Sequence, residues 1–219
     1  KDADDYPVFV LNSEENANRF EKIFNIFTDF QRMLTVDIVP GLKDVWGTWN
    51  TKFRSGNSLF MMDYPVNFSY YLDFETDYGV LPMPKYDDAQ ESYSSFVHMY
   101  CANTIAVLKT GQNFERTGVI LEALSAETYR YVTPAWYETA LKVKYSRDDL
   151  SSQMIDLIKA SATTNFIYAY NYAINGLGLI YRDLVTKNNK DYASAVKSKE
   201  KAGLKQLEKV LDVFRGLDG

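Results

Sequence analysis

The chain has 219 residues, of which 46% are hydrophobic, 15% aromatic and 24% charged; this is globular composition with enough apolar mass for a buried core, and it excludes collagen-like, low-complexity and wholly disordered chains. Lys plus Arg number 24 and Asp plus Glu 29, a net charge of −5 with no basic block, so no nucleic acid is expected as a partner. One cysteine, Cys101, and one histidine, His98, exclude an intrachain disulfide, a multi-cysteine zinc site and a histidine-rich metal centre.

In chain order, Val8 to Leu11 after Pro7 reads as a strand. Asn12 or Ser13 is placed to cap a helix, with Glu15 returning a bond, and Phe20, Ile23, Phe24, Phe27 and Phe30 follow at helical spacing. Pro40-Gly41 punctuates the chain, and Val45, Trp46, Trp49 and Phe53 mark a second helix that ends near Ser55-Gly56. Leu59 to Met62 reads as a strand, ended by Asp63-Tyr64-Pro65. Pro65 then suits the first turn of a helix to Tyr71 or Leu72. Tyr78 to Leu81 is a third expected strand, a polar loop covers Asp87 to Ser95, and Val97 to Leu108 is extended.

From Asn113 the pattern is helical almost to the end. Val119, Ile120, Leu121, Leu124 and Tyr129 mark one helix, and Thr133 with Pro134 is placed to start the next. Met154, Ile155, Leu157 and Ile158 mark a third. Tyr168 to Leu184 reads as a fourth, with Gly176 and Gly178 near its middle. Asp191 to Arg215 is a polar amphipathic helix, with Ala195, Leu204, Leu207, Leu211 and Phe214 expected inward. Strands mixed with helices, then a helical finish, predict an α/β or α+β layered domain.

No catalytic set assembles from these residues. His98 and Cys101 are three apart in an extended stretch and point to opposite faces. The acidic pairs Asp4-Asp5, Asp87-Asp88 and Asp148-Asp149 are adjacent in sequence, which does not set two carboxylates across a cleft. Gly176-Leu-Gly178 has Tyr181 where a dinucleotide fingerprint needs its third glycine. No enzyme activity, metal or cofactor is expected. What remains is an inventory of aromatics and amides at element ends: Tyr64, Asn67 and Phe68; His98 and Tyr100; Trp136; Phe166, Tyr168 and Asn171. Aromatic faces cover the C–H faces of sugars while amides and phenols bond hydroxyls, the mixture typical of small-molecule pockets. Core packing is the competing role for each of them.

Three segments resemble family 1 extracellular solute-binding proteins, the maltose-binding type of receptor for bacterial ABC importers. Phe53-Arg-Ser-Gly56-Asn-Ser-Leu-Phe60 is similar to the family's F-x-x-G-x-x-x-F stretch. Tyr78-Gly-Val-Leu-Pro-Met-Pro-Lys85 resembles the strand-and-proline stretch that follows, and Val132 to Asp148 resembles a segment of a Firmicutes branch. The helices Phe114 to Tyr131 and Met154 to Ile158 fit that branch, so the resemblance runs from about Asn12 to Phe214.

The resemblance implies an α/β fold: one lobe, mainly the C-terminal one, of a two-lobe type II periplasmic-binding-protein fold, with a helix-rich C-terminal half. Residues 1–219 would form a single α/β domain. The first lobe and the export signal, often with a lipidated cysteine, would precede Lys1. The implied function is binding of an oligosaccharide by hinge closure and its delivery to the transmembrane subunits of an ABC permease. The implied location is the outer cell surface, as a monomeric lipoprotein. Tyr64, Asn67 and Phe68 fall at one place where the family offers an aromatic to ligand, and Phe166 and Tyr168 at another. A lone lobe, lacking half the cleft, would bind weakly or not at all. Two alternatives stand beside this: the same fold binding a non-sugar solute such as a peptide, and an interaction domain that transports nothing.

Overall fold

The computed structural model describes residues 6–29, 43–98, 105–111 and 113–216. Among these the architecture is mainly helical, with a single two-stranded parallel sheet. Phe30, Pro40, Gly41, Tyr100 and Cys101 lie outside the described residues. The chain divides into two compact units, Lys1–Phe53 with Asn165–Gly219, and Arg54–Thr164.

The first unit is built on helix α1, Glu14–Phe27. Ser13 caps it, its side-chain oxygen accepting from the Asn16 N–H. Glu15 does not return a bond to the cap as expected, because the third helical position is held by Asn16; Glu15 pairs instead with Arg19 at 2.6 Å. Phe20 and Phe24 point inward and pack with Ile174, Leu177, Ile180, Leu184, Tyr192 and Val196. Phe20 stacks on Tyr192 with ring centres 5.0 Å apart. Val8 to Leu11 forms no strand. The period-two alternation is nevertheless present, with Phe9 and Leu11 packed on the core and Val8 and Val10 exposed. The hydroxyl of Tyr192 donates to the Leu11 carbonyl at 2.7 Å and fixes the segment. Helix α2, Val45–Arg54, forms where the sequence places it and ends just before Gly56.

The expected helix from Tyr168 to Leu184 is broken in two. Helix α5, Phe166–Ala169, is capped by Asn165. The chain then turns through Asn175 and Gly176, at φ 60° and 74°, a left-handed conformation that glycine adopts at little steric cost. A 3-10 turn, Leu177–Leu179, leads into α6, Ile180–Thr186. Lys199 closes the break by donating to the Gly176 carbonyl and to the Asp183 carboxylate, each at 3.2 Å. The last helix, α7, Tyr192–Arg215, forms as expected, capped by Asp191. Its buried face carries Tyr192, Val196, Gly203 and Leu211, while Leu204, expected inward, is exposed.

In the second unit a 3-10 helix, Pro65–Tyr71, starts at Pro65 as read from the sequence. Strand β1, Ser95–Phe96, pairs in parallel with β2, Ala162–Thr163. Leu59 to Met62 and Tyr78 to Leu81, expected as strands, form none, so the β structure of this unit is the β1–β2 pair among the described residues. Leu59 is 83% exposed. Helix α3, Phe114–Glu127, is capped by Asn113 and buries none of its residues. It runs on through wide π-helical turns at Thr128–Val132 and Ala135–Tyr145. Thr133 is therefore no cap: it is helical itself, and its N–H donates to the Thr128 carbonyl five residues back. Pro134 has no N–H and crowds the preceding turn, and widening the helix relieves both faults. Helix α4, Asp149–Ala160, follows. The core of this unit holds Phe68, Tyr71, Phe74, Val80, Leu141 and Ile155.

Candidate functional site

The expected site residues fall into both units. In the second unit the local sequence Asp63-Tyr-Pro-Val-Asn67 organises the first group. Tyr64 precedes a proline and is held extended, at φ −93° and ψ 143°. That conformation turns the Asp63 carboxylate back along the 3-10 helix. One oxygen, Oδ1, accepts from the Tyr64 N–H at 2.8 Å and from Asn67 Nδ2 at 2.6 Å. The other, Oδ2, accepts from the Tyr71 hydroxyl. Burial, reinforced by this bond and by the Asp63 charge, pushes the Tyr71 phenol well above the ordinary tyrosine range.

Tyr64 is 39% exposed. Its ring meets the His98 imidazole edge-on, centres 6.3 Å apart, and His98 meets Phe96 in the same way at 6.2 Å. The structure thus gathers Tyr64, Asn67 and His98, with Asp63 bonded beneath the tyrosine and the amide. The arrangement offers an exposed aromatic ring, an imidazole and a carboxylate already holding three donors. Phe68, one turn on, is buried in the core. Trp136 sits half-buried on the wide helical run, 6.3 Å from Tyr145.

In the first unit Phe166 packs with Tyr170 at 4.7 Å and with Phe214 at 6.4 Å, so its ring belongs to an aromatic cluster. Tyr168 is half-buried in the same short helix. Asn171 is only 3% exposed, and its Oδ1 is buried without a hydrogen bond among the described residues. An amide acceptor in that state is costly unless a donor reaches it.

Several polar residues outside the expected set organise the second unit. Asp63 and Tyr71 carry a weak sequence signal, a carboxylate followed by an amide four residues and a phenol eight residues further on. Arg147 carries none, because its partners are more than seventy positions away: it donates to the carbonyls of Tyr71 and Phe74. A hydroxyl-rich groove of about 530 Å³ opens beside the β1–β2 pair, lined by Ser92, Tyr93, Ser94, Ser161, Ala162 and Thr163. None of the expected residues lines it. No group of three or more His, Cys, Asp or Glu side chains placed to hold a metal occurs among the described residues, and no helix there is long and apolar enough to cross a membrane.

No protein-family model matches the chain, and no curated protein matches it.

Proposed function

We propose that the chain is the carbohydrate-binding portion of an extracellular, lipid-anchored solute-binding protein that serves an ABC permease. The observation that carries the reading is the exposed Tyr64 ring beside His98, next in sequence to Asp63, which holds Asn67. An exposed aromatic ring stacks on the C–H face of a sugar, and neighbouring polar groups satisfy its hydroxyls. The ordered resemblance from Phe53 to Asp148 supports the same class. No bond is broken in this function: ligand binding shifts a pre-existing open–closed equilibrium of the whole receptor, and the closed form is what a permease recognises.

The test is calorimetry on the protein expressed from its complete reading frame, titrated with a panel of oligosaccharides and of peptides. The expected result is heat of binding from at least one glycan, with affinity lowered more than about tenfold by Tyr64→Ala, a loss of at least ~1.4 kcal/mol. Binding left unchanged by Tyr64→Ala and His98→Ala overturns the site. A response to peptides alone overturns the carbohydrate reading.

A further inference from the structure

We propose that the outward face of α7 is a docking surface for an anionic membrane, on which Lys197, Lys201, Lys205 and Lys209 meet the phosphate headgroups of acidic lipids. This contact needs no solute at Tyr64 and is independent of the solute-binding reading.

The four lysines recur at every fourth residue. Each step of four turns the helix ~40° past a full circle, so they form one slanting row that runs ~18 Å along the axis. All four are exposed. They lie on the side turned away from Tyr192, Val196 and Gly203, which form the buried face. Three residues separate each lysine from the next, so the row is no basic block in the sequence.

The charges of this row are left uncompensated within the chain. Opposite charges four residues apart stabilise a helix and like charges destabilise it, yet each neighbouring pair in the row is lysine with lysine. Three of the four have an acid three residues further on, and every one of those acids is engaged elsewhere. Glu200 accepts from Asn12 Nδ2 at 3.1 Å. Glu208 and Asp212 both pair with Arg215, at 2.6 and 3.1 Å. No carboxylate is within ion-pair distance of the row among the described residues. The remaining lysine of α7, Lys199, faces the core side and is held by Asp183 and the Gly176 carbonyl. An anion outside the chain offsets the repulsion that the row maintains.

The chemistry of the face selects a lipid surface. Residues 194–209 contain no aromatic and no arginine. Protein interfaces anchor on such residues and are depleted in lysine, single-stranded nucleic acids are held by aromatic stacking, and duplex bases are read chiefly by arginine. Ser194, Ser198 and Ala202 lie beside the lysines, small residues that keep the face low. The long lysine stems let all four ammonium groups reach one plane of phosphates. The helix carries six Lys or Arg against three Asp or Glu, in a chain of net charge −5. A negative surface therefore attracts this face and repels the chain as a whole, which orients the contact.

Co-sedimentation of the 219-residue chain with vesicles of phosphatidylglycerol and phosphatidylcholine in equal parts, at low salt, tests the contact. The chain is expected to bind, to be released at about 1 M salt, and to ignore vesicles of phosphatidylcholine alone. A lysine near an acidic surface is worth about fivefold in partition. Lys201→Gln with Lys205→Gln therefore lowers binding more than about tenfold. Lys109→Gln with Lys144→Gln makes the same change of net charge at exposed positions off the row, and lowers it less than about threefold. Both variants keep the helical circular dichroism of the parent, and relief of the lysine repulsion leaves the first with a thermal midpoint no lower than the parent's. Failure to bind the acidic vesicles overturns the proposal, as does equal loss in the two variants. Tighter binding to duplex DNA than to the vesicles at the same salt overturns the choice of a lipid surface.

Discussion

The Arg147 guanidinium lies 5.0 Å from the centre of the Tyr78 ring, and the same group donates to the carbonyls of Tyr71 and Phe74. One planar cation therefore closes the loop that returns from the 3-10 helix to the Tyr78 segment. Its side chain is half-buried and reaches Asp77 as well, at 3.3 Å. Because the Tyr71 hydroxyl holds Asp63, this clamp is also what fixes the Tyr64 site from behind.

Arg147→Ala is expected to lower stability by about 2–4 kcal/mol, because it removes two charge-assisted bonds together with the cation over the Tyr78 ring. Arg147→Lys should recover less than half of that, since an ammonium cannot serve two divergent carbonyls and a ring together. Urea unfolding measures both. A decrease of under ~0.5 kcal/mol for the alanine variant, the range of an ordinary surface change, would show that the guanidinium clamps nothing.

Tyr71 supplies a pH signature. Its phenol is raised by burial and by the Asp63 bond, so the neutral form is favoured in the folded chain. The stabilisation is complete below the ordinary tyrosine value near 10 and is lost as pH climbs above it, where the unfolded chain ionises and the folded one does not. Tyr192 in the other unit is raised chiefly by burial and behaves alike. Tyr71→Phe should cost ~1 kcal/mol at neutral pH and flatten the decline above pH 10 by up to ~1.4 kcal/mol per unit. An unchanged alkaline slope, followed by unfolding at stepped pH, would show that Tyr71 titrates normally.

The first and last helices were legible because each carries its own signals, whereas the break at Asn175–Gly176 inside the expected Tyr168–Leu184 helix was not. Ser13 before the Phe20–Phe24 face fixed α1, and the amphipathic period after Asp191 fixed α7. The strands lacked such signals. Four apolar residues in a row predict an extended chain, but a ladder needs a partner, and Leu59–Met62 has none within the described residues. The pair that does form, Ser95–Phe96 with Ala162–Thr163, is short, mostly small and polar, and far apart in sequence, so no local pattern announces it. At the candidate site Tyr64 and Asn67 were legible through Pro65, and His98 through being the lone imidazole. Phe68 shows the limit of that reading: composition marks an aromatic without saying which side of the 3-10 helix it occupies, and packing puts it inward.

Ser151 joins two segments through one hydroxyl, accepting from the Val80 N–H at 2.9 Å and donating to Asp148 Oδ2 at 2.6 Å. The Ser151 bonds hold the Asp148 carboxyl below the usual carboxylate range. That contribution is present above the ordinary aspartate value and is lost as pH falls through the lowered one. Ser151→Ala leaves the Val80 N–H buried without its acceptor and is expected to cost about 1–3 kcal/mol. It should also make the acid limb of stability less steep. Equal acid slopes in the variant and the parent, measured by urea unfolding below pH 5, would separate Asp148 from the serine.

Two helical glycines that look alike in sequence should respond oppositely to alanine. Gly118 in α3 faces open space, so Gly118→Ala removes unfolded-chain entropy and a weak helix former at no steric cost. It should stabilise the chain by about 0.5–1 kcal/mol. Gly203 in α7 is buried, and a Cβ there would stand 2.5 Å from Leu177 Cδ1 and 2.8 Å from Leu177 Cγ. Leu177 is itself buried in the core, so it cannot swing clear. The same gain in helix propensity is then outweighed by overpacking, and Gly203→Ala should destabilise by about 1–3 kcal/mol. Thermal unfolding reads both variants in one experiment. Gly203→Ala matching the parent would mean that α7 does not lie against Leu177, and the packing of the first unit would need redrawing outward from that pair.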